Sequence, residues 1–530
     1  MKISVRKRFF AAGLVATALA FNGCVNDLDR QPFYDVTSAT VYTNAAGYQQ
    51  VLAKIYAGLA VTGQAGPDGR PDIQGVDEGA SNYLRQLWSL QELPTDEAVI
   101  AWNDNTIQDL HQMDWSSADV FSQALYYRIF YQITLANEFI RESTDAKLAE
   151  RGISGTDAAT IRAYRAEARF LRALSYFHAL DLYGNVPFVT ETDAIGSNLP
   201  RQIQRTELFN YVESELKAVE NDLLDARKNE YARADKAAAW TLLSRLYLNA
   251  EVYTSQKKYT EAVTYAKKVI DAGYALEANY ADLFKADNHT AREVIFPVAF
   301  DGTRTRTWGG TTFLVNAAIG GSMRAADYGV NGGWAGVRTT KAFVNLFADP
   351  SGRTDRRAMF YTAGQSLEIN DVTVFTDGYA IPKFKNVTKA GVKGSDPNGN
   401  HPDTDFPMFR LAEVYLTYAE AVLRGGTGGD VATALSYVNL LRQRAYGNAS
   451  GNLSSISLDQ LLDERGRELY WEAQRRTDLI RFGKFTTTAY LWPWKGGVKD
   501  GRGVESFRNL YPLPASDVVA NPNLKQNTGY

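Results

Sequence analysis

Apolar residues recur at every third or fourth position along several long stretches of the chain, which is the pattern of helices with one buried face. The longest stripe consists of Ala163, Ala166, Phe170, Ala173, Leu174, Phe177 and Leu180. Gly184 follows these positions, and a glycine there can adopt the left-handed conformation that closes a helix. Pro187 cannot continue a helix. The pattern therefore predicts a long helix that ends near Gly184 and continues as an extended segment.

Shorter apolar stripes predict further helices in the same way. They cover residues 44–61, 119–142 and 206–226. By contrast, residues 62–116 and 296–410 have no helical period and are rich in Gly, Asn and Trp. We expect long loops there, with short strands at 294–299 and 372–375. Long loops of this kind commonly carry binding residues.

The spacing of four residues indicates a helix hairpin. These residues are Trp240, Leu243, Ser244 and Tyr247. They match the tetratricopeptide pattern W-x2-L-G-x2-Y, with a small serine in place of the glycine where two helices approach closely. Apolar stripes at 411–423 and 431–446 flank a glycine-rich turn. We therefore expect two tetratricopeptide-like hairpins.

Charged residues of alternating sign recur near the C-terminus at three- and four-residue spacing, with one tryptophan among them. The set is Glu464, Arg467, Glu468, Trp471, Glu472, Arg475 and Asp478. Ion pairs at this spacing support a helix or fix it to a neighbour. We interpret the segment as one structural helix rather than as a functional site.

The first 23 residues have the features of a bacterial lipoprotein signal peptide. A basic segment at 2–8 precedes the apolar run 9–21, which is too short for a permanent transmembrane helix. Cys24 is the single cysteine of the chain, and it stands where such a protein is cut and lipidated. We therefore predict lipidation at Cys24 and attachment to a membrane through the lipid. The alternative is a plain secretory peptide with an incidental cysteine.

The composition is that of an ordinary folded protein, since 45% of the 530 residues are hydrophobic and 22% are charged. A formal net charge of −3 provides no excess of basic residues for binding nucleic acid. The four histidines are not spaced as metal ligands, and the sequence has no nucleophile or phosphate-binding motif. We therefore expect no cofactor, no metal site and no catalysis. The rival hypothesis is a glycoside hydrolase, whose paired carboxylates need no fixed spacing; Asp77, Glu78, Asp96 and Glu97 are the candidates.

Tryptophans and polar residues cluster in the two loop regions. A tryptophan ring offers an apolar face to the C–H face of a sugar, while amide, carboxylate and guanidinium groups bond sugar hydroxyls. The candidate ligand-binding residues are Arg85, Trp88, Trp102, Asn103, Asp104, Trp308, Tyr328 and Trp334. The alternative for each tryptophan is that it fixes its loop to the core. A cluster of tryptophans favours binding.

Five stretches resemble a known family. RALSYFHALDLYGNVPFVTE is similar to the signature of the SusD/RagB family, nutrient-binding surface lipoproteins of Gram-negative bacteria. Four more stretches follow in the family's order, namely KAAAWTLLSRLYLNAEVY, FRLAEVYLTYAEAVL, ERGRELYWEAQRRTDLIRFGKF and LYPLPASDVVANPNLKQNTGY. The segment GVNGGWAGV at 329–337 is also similar to a Gly-Trp-Gly loop of the family.

The resemblance implies a mostly α-helical SusD-like fold, in which tetratricopeptide-like hairpins pack against an irregular, loop-rich region with short β-strands. It implies a signal peptide at 1–23 and a body at 24–530. The body then divides into a helical part, 24–290, and a C-terminal part, 291–530, that does not fold independently.

The resemblance also implies a function. A member of this family captures an oligosaccharide at the outer membrane, facing outside the cell, and delivers it to a SusC-like TonB-dependent transporter. Two alternatives remain open. The protein captures peptides, as the resemblance to RagB-like members implies, or it is a tetratricopeptide-like scaffold that binds only protein partners.

Overall fold

The computed structural model describes residues 38–104, 106–194, 196 and 199–530. The signal segment and the predicted lipidation site at Cys24 lie outside these residues. The α-helices are α1 Ser38–Val41, α2 Ala45–Ala60, α3 Tyr83–Glu92, α4 Ile107–Gln112, α5 Val120–Glu142, α6 Asp145–Glu150, α7 Gly155–Leu182, α8 Arg205–Val219, α9 Lys236–Leu248, α10 Ala250–Thr254, α11 Tyr259–Ile270, α12 Gly310–Asn316, α13 Lys341–Val344, α14 Leu411–Leu423, α15 Val431–Tyr446, α16 Leu458–Leu469, α17 Arg475–Arg481 and α18 Ala515–Ala520. Within the described residues, no helix is both long and apolar enough to cross a membrane.

Short antiparallel strands join distant parts of the chain. They are β1 Val99–Ile100, β2 Val186–Phe188, β3 Arg201–Ile203, β4 Val294–Val298, β5 Val337–Arg338 and β6 Phe406–Arg410. β1 pairs with β5, β2 with β3, and β4 with β6. The predicted strand at 372–375 is wrong, because the chain turns there. The carboxylate of Asp371 accepts the N–H of Thr373 at 2.8 Å, and such a side-chain contact competes with strand formation.

Helix α7 ends where the sequence pattern predicts. Gly184 has a φ of +73°, and its N–H donates to the carbonyl of Ala179 at 3.1 Å, which closes the helix. Strand β2 follows directly. The apolar stripe of α7 is buried from Ala166 onward, where the helix packs against α2, α5 and α8, so this helix organises the core of the N-terminal part.

The two predicted helix hairpins pack against one another. α9 packs on α11, and α14 packs on α15. α11 also packs directly on α14, although a long loop-rich segment separates the two helices in sequence. Ser244 is buried in the first hairpin, and its hydroxyl donates to the carbonyl of Thr241 at 2.8 Å. The prediction of a mostly α-helical fold with tetratricopeptide-like hairpins is confirmed.

The charged segment near the C-terminus forms two helices, so the prediction of a single helix is wrong. α16 and α17 are separated by a turn in which Trp471 and Ala473 have φ angles of +61° and +60°. Tertiary contacts fix this turn. The indole N–H of Trp88 donates to the carbonyl of Trp471 at 3.1 Å, and the carboxylate of Glu97 accepts the N–H of Trp471 at 2.9 Å.

The charges of this segment form a buried network that agrees with the structural interpretation. The guanidinium of Arg410 contacts Glu293, Glu468 and Glu472 at 2.8, 2.7 and 2.6 Å. Burial would raise the pKa of Glu468, but the surrounding guanidiniums, above all that of Arg444, lower it to about 2. The carboxylate is therefore ionised inside the protein, and the network ties α16 to β6.

Two regions that the sequence predicts as loops contain buried structure. Helix α3 lies within 62–116, and nearly all its side chains are buried, including polar ones such as Gln86. The helix has only ten residues and lies in a stretch rich in Gly, Pro and Asp, so its short apolar repeat, Leu84, Leu87 and Trp88, does not stand out in the sequence. The stretch 386–407 is rich in Gly, Pro, Asp and Asn, which predicts a surface loop, but the prediction is wrong for Asn386 and His401, which are buried and hydrogen-bonded.

The prolines of the C-terminal tail, Pro512, Pro514 and Pro522, predict an extended course around the body, and the tail follows that course. The N–H of Tyr511 donates to the carbonyl of Leu182 at 2.8 Å, and its hydroxyl donates to the carbonyl of Leu90 at 2.8 Å. The tail therefore fastens the ends of α7 and α3 together.

Candidate functional site

Strand pairing brings two of the predicted tryptophans together. Trp102 follows β1 and Trp334 precedes β5, so the antiparallel pair places them side by side although 232 positions separate them. The N–H of Ala101 donates to the carbonyl of Gly336 at 2.8 Å. The indole Nε1 of Trp102 donates to the carbonyl of Trp334 at 3.1 Å, and the ring centroids lie 6.3 Å apart.

Close backbone packing fixes the loop that carries Trp334. The N–H groups of Trp334 and Gly336 donate to the carbonyls of Asn316 and Ala317, at the end of α12, at 2.8 and 2.9 Å. A Cβ at Gly336 would lie 2.5 Å from Cζ2 of Trp102, closer than non-bonded atoms approach. Glycine at 336 therefore allows the ring of Trp102 to lie directly on the backbone.

Trp308 supplies the third ring. Its N–H donates to Oε2 of Glu78 at 2.8 Å, and the hydroxyl of Thr307 donates to Oε1 of the same carboxylate at 2.8 Å. The ring centroid of Trp308 lies 4.8 Å from that of the buried His401 and 6.3 Å from that of Trp334. The backbone of Trp308 is therefore held from one side and its ring is supported by an imidazole.

The three indole rings form a row along an open pocket, which we call the tryptophan row. Trp334 lies between Trp102 and Trp308, and the neighbouring ring planes are tilted by 45° and 54°. The pocket has a volume of about 270 Å³ and is lined by the three tryptophans, Arg85 and Asp104. All three tryptophans are half-buried, so each keeps part of its surface open to the pocket.

Arg85 places a cation at the edge of the pocket. Its guanidinium carbon lies 4.6 Å from the ring centroid of Phe313 and 5.8 Å from that of Trp102. Its Nη1 is 3.9 Å from Oδ1 of the exposed Asp77. Burial lowers the pKa of Arg85 from its ordinary value, against the attraction of Asp77, and a guanidinium remains charged at neutral pH. Together with the exposed Asp104, it offers a donor and an acceptor at the rim.

The structure does not bring every predicted residue to this pocket. Trp88 is fully buried, and its ring packs edge-on against Trp471 with the centroids 5.2 Å apart. A ligand cannot reach it, so the prediction of Trp88 as a ligand residue is wrong. Tyr328 is also buried and does not line the pocket, since its segment bonds to Asn386 instead. Asn103 is exposed between two lining residues but does not itself line the pocket.

The carboxylates proposed for the glycosidase alternative do not form an exposed pair. Asp96 is fully buried and accepts two hydrogen bonds from Arg475 at 2.8 and 2.9 Å. Glu97 is also buried, Glu78 is bonded by the Trp308 segment, and Asp77 is exposed. Glycoside hydrolysis requires two carboxyl groups on either side of one bond. In the part of the chain that the structure describes, no three His, Cys, Asp or Glu side chains are grouped to hold a metal ion.

A buried carboxyl pair lies outside the pocket. Glu92 and Glu97 are both fully buried, and the N–H of Gln474 donates to Glu92 at 3.0 Å. Burial raises the pKa of Glu92 to about 7 and raises the pKa of Glu97 above its ordinary value. Neither carboxyl group lines the pocket of the tryptophan row.

Sequence reasoning missed the residues that support the row. Gly336 was signalled by the run of glycines around Trp334, since a glycine beside an aromatic residue often marks close backbone approach. Glu78 and His401 carried no comparable signal, because their contact with the Trp308 segment depends on loops that meet only in the fold.

Comparisons with known proteins agree with this architecture. A family model described as the SusD family matches residues 361–530, and one described as "Starch-binding associating with outer membrane" matches residues 33–248. The chain is 38% identical to the starch-binding protein SusD of Bacteroides thetaiotaomicron over 100% of both chains. The chain belongs to the SusD family.

Other relatives and solved structures support the SusD fold. A SusD-like protein of Bacteroides ovatus is 26% identical over 99% of this chain and 98% of its own. A SusD superfamily protein from Parabacteroides distasonis matches with a TM-score of 0.71 at 22% identity, over 94% of this chain and 100% of that one. Surface glycan-binding protein A of Bacteroides thetaiotaomicron, solved with laminarihexaose, matches with a TM-score of 0.68 at 20% identity, over 91% and 99%. The prediction of a SusD-like fold is confirmed.

Proposed function

We propose that this SusD-family protein binds an oligosaccharide on the tryptophan row. The observation that carries the proposal is the row itself, in which three indole rings are held by backbone contacts and line one open pocket. Sugar rings present apolar C–H faces that pack on indole rings, while Arg85 and Asp104 are available to sugar hydroxyls. Rings that are fixed before the ligand arrives lose little conformational freedom on binding.

The tilt of the rings favours a glycan that curves. Neighbouring ring planes differ by 45° and 54°, so a flat ribbon of sugars cannot pack on all three rings at once. A chain that turns from one sugar to the next, as in the α-glucan of starch, can present a sugar face to each ring. The name of the 38% identical relative, starch-binding protein SusD, supports the same ligand. Maltooligosaccharides are therefore the first ligands to test, with laminarihexaose as the comparison.

We propose capture without cleavage. A glycoside hydrolase positions two carboxyl groups about 5 to 10 Å apart around the bond that it breaks. Of the described residues, Asp104 contributes the one carboxylate among those that line the pocket. The aromatic lining is suited to retention of a sugar chain.

Family membership supports a role in the uptake of glycans. We propose that the protein is attached through a lipid on Cys24 to the outer membrane, faces outside, and delivers its glycan to a SusC-like TonB-dependent transporter. The matched family description, which names association with the outer membrane, supports the location. Replacing Cys24 by alanine should move the protein from the membrane fraction to the soluble fraction, and an unchanged membrane fraction would contradict lipid attachment at this residue.

Native affinity electrophoresis tests the binding proposal. We expect gels that contain starch to retard the wild-type protein, and Trp102→Ala to lose most of this retardation. Trp240→Ala is the matched control, because Trp240 is another half-buried tryptophan but lies on α9 outside the pocket. Equal retardation of Trp102→Ala and wild type would remove the row from the site. Calorimetric binding of oligopeptides with none of sugars would favour the RagB-like alternative.

A further inference from the structure

A second open pocket lies beside the loop that joins α8 to α9. Its volume is about 300 Å³, and its lining includes Tyr231, Tyr274, His289 and Arg292. None of these residues belongs to the tryptophan row or to its supporting contacts. The pocket therefore has no part in the function proposed above.

Tyr231 presents its ring to solvent from a fixed position. The residue is 49% exposed, yet its hydroxyl donates to Oδ2 of the buried Asp405 at 2.5 Å. The ring of His289 packs edge-on against it, with the centroids 6.3 Å apart and the planes at 74°. The hydroxyl bond prevents the side chain from turning into solvent or into the core. An exposed aromatic ring held in one orientation is what stacking on a sugar requires.

The loop that carries Tyr231 has an unusual backbone conformation. Arg227 and Ala232 both have a φ of +63° although neither is glycine, which is unfavourable for a residue with a side chain. Side chains hold the loop in this shape, since the N–H of Arg227 donates to Asp235 at 2.6 Å and the amide of Asn229 donates to the carbonyl of Ala234 at 2.8 Å. Backbone strain of this kind concentrates at binding sites.

Polar groups beside the ring are available to a ligand. Arg233 is already paired with Glu167 at 2.5 Å. Arg292, by contrast, is exposed and forms no ion pair or side-chain hydrogen bond with any residue that the structure describes. His289 is exposed next to Tyr231. A guanidinium and an imidazole provide donors and an acceptor for the hydroxyls of a neutral sugar.

We propose that this pocket is a second saccharide site, in which a sugar ring packs on Tyr231 and its hydroxyls bond to Arg292 and His289. The proposal rests on the proposed function, because its ligand is the same class of glycan. A polymer held at one site raises the local concentration of further segments at the other. Two sites therefore increase retention on starch beyond the affinity of either one.

Saturation-transfer NMR with maltoheptaose tests the proposal, because it detects weak binding. The full-length chain is compared in four forms: wild type, Trp102→Ala with Trp334→Ala, the same pair with Tyr231→Ala, and the same pair with Tyr231→Phe. We expect the signal to persist when the row is removed and to disappear when Tyr231→Ala is added. Tyr231→Phe keeps the ring and should keep the signal. Thermal melting of each variant checks that it is folded.

The outcomes separate the two sites. Loss of all signal in the Trp102→Ala, Trp334→Ala form overturns the second site and leaves the tryptophan row in place. A signal that is unchanged by Tyr231→Ala in the same form also overturns it. Conversely, a signal that is as strong in the Trp102→Ala, Trp334→Ala form as in the wild type, and that disappears when Tyr231→Ala is added, would support this site and contradict the proposed role of the row.

Discussion

Replacing Trp334 by alanine removes the central ring of the row and keeps the contacts that fix its loop. Those contacts use the backbone, since the N–H of Trp334 donates to Asn316 and its carbonyl accepts the indole N–H of Trp102. The Trp334 side chain is half-buried, so the core loses little packing. We expect a folded protein with weakened glycan binding.

The size of the effect follows from the area that the ring covers. If a sugar covers about 50 Å² of the indole face and an equal area of its own, about 100 Å² leaves water, which is worth about 2.5 kcal/mol at about 25 cal/mol per Å². Ordering of the sugar offsets part of this free energy. Since about 1.4 kcal/mol corresponds to a factor of ten in Kd, we expect Trp334→Ala to raise the Kd by about 10- to 60-fold.

Isothermal titration calorimetry with maltoheptaose measures this change directly. The Trp240→Ala variant serves as the control and should bind like the wild type, because Trp240 lies outside the pocket. Melting temperatures of both variants show whether either is unfolded. A folded Trp334→Ala protein with the same Kd as the wild type would refute the stacking of a sugar on the central ring.

Three further predictions follow from the structure. Gly336→Ala places a Cβ 2.5 Å from the ring of Trp102, which forces the ring to move. We expect weaker maltoheptaose binding in calorimetry from a protein that still melts as a folded protein, and unchanged binding would contradict the close approach. Arg410→Met removes the cation that three buried carboxylates share, although Arg444 still contacts Glu293 and Lys383 still contacts Glu472. It should cost about 3 to 5 kcal/mol in urea unfolding, whereas the exposed Arg304→Met should cost less than about 0.5 kcal/mol. The folded protein keeps Glu92 protonated to about pH 7, while an unfolded glutamate ionises near 4.5, so stability falls as pH rises across this window. Glu92→Gln should therefore raise the melting temperature at pH 8 but not at pH 4, and an equal change at both pH values would refute the buried proton.

Helices with an apolar repeat sustained over several turns were predictable from the sequence, and a short helix inside a loop-rich stretch was not. The hairpin helices at 411–423 and 431–446 match the observed α14 and α15. Helix α3 was missed because it has only ten residues and lies in a stretch rich in Gly, Pro and Asp. The break between α16 and α17 was missed because it depends on contacts of Trp471 with distant residues.

The sequence predicted which residue types form the candidate site, but not which of the candidate tryptophans belong to it. Trp102, Trp308 and Trp334 line one pocket, yet Trp88 had the same appearance in sequence and lies in the core. A tryptophan in a loop region has no local feature that tells an exposed face from a buried one. The pairing of β1 with β5 brings Trp102 and Trp334 together, and it joins segments that are far apart in sequence.

A crystal structure of the protein with maltoheptaose tests the central claim most directly. Glycan capture on the tryptophan row predicts sugar carbons within about 4.5 Å of the rings of Trp102, Trp308 and Trp334, with hydroxyls bonded to Arg85 or Asp104. A bound sugar chain that leaves all three rings uncovered would contradict the account.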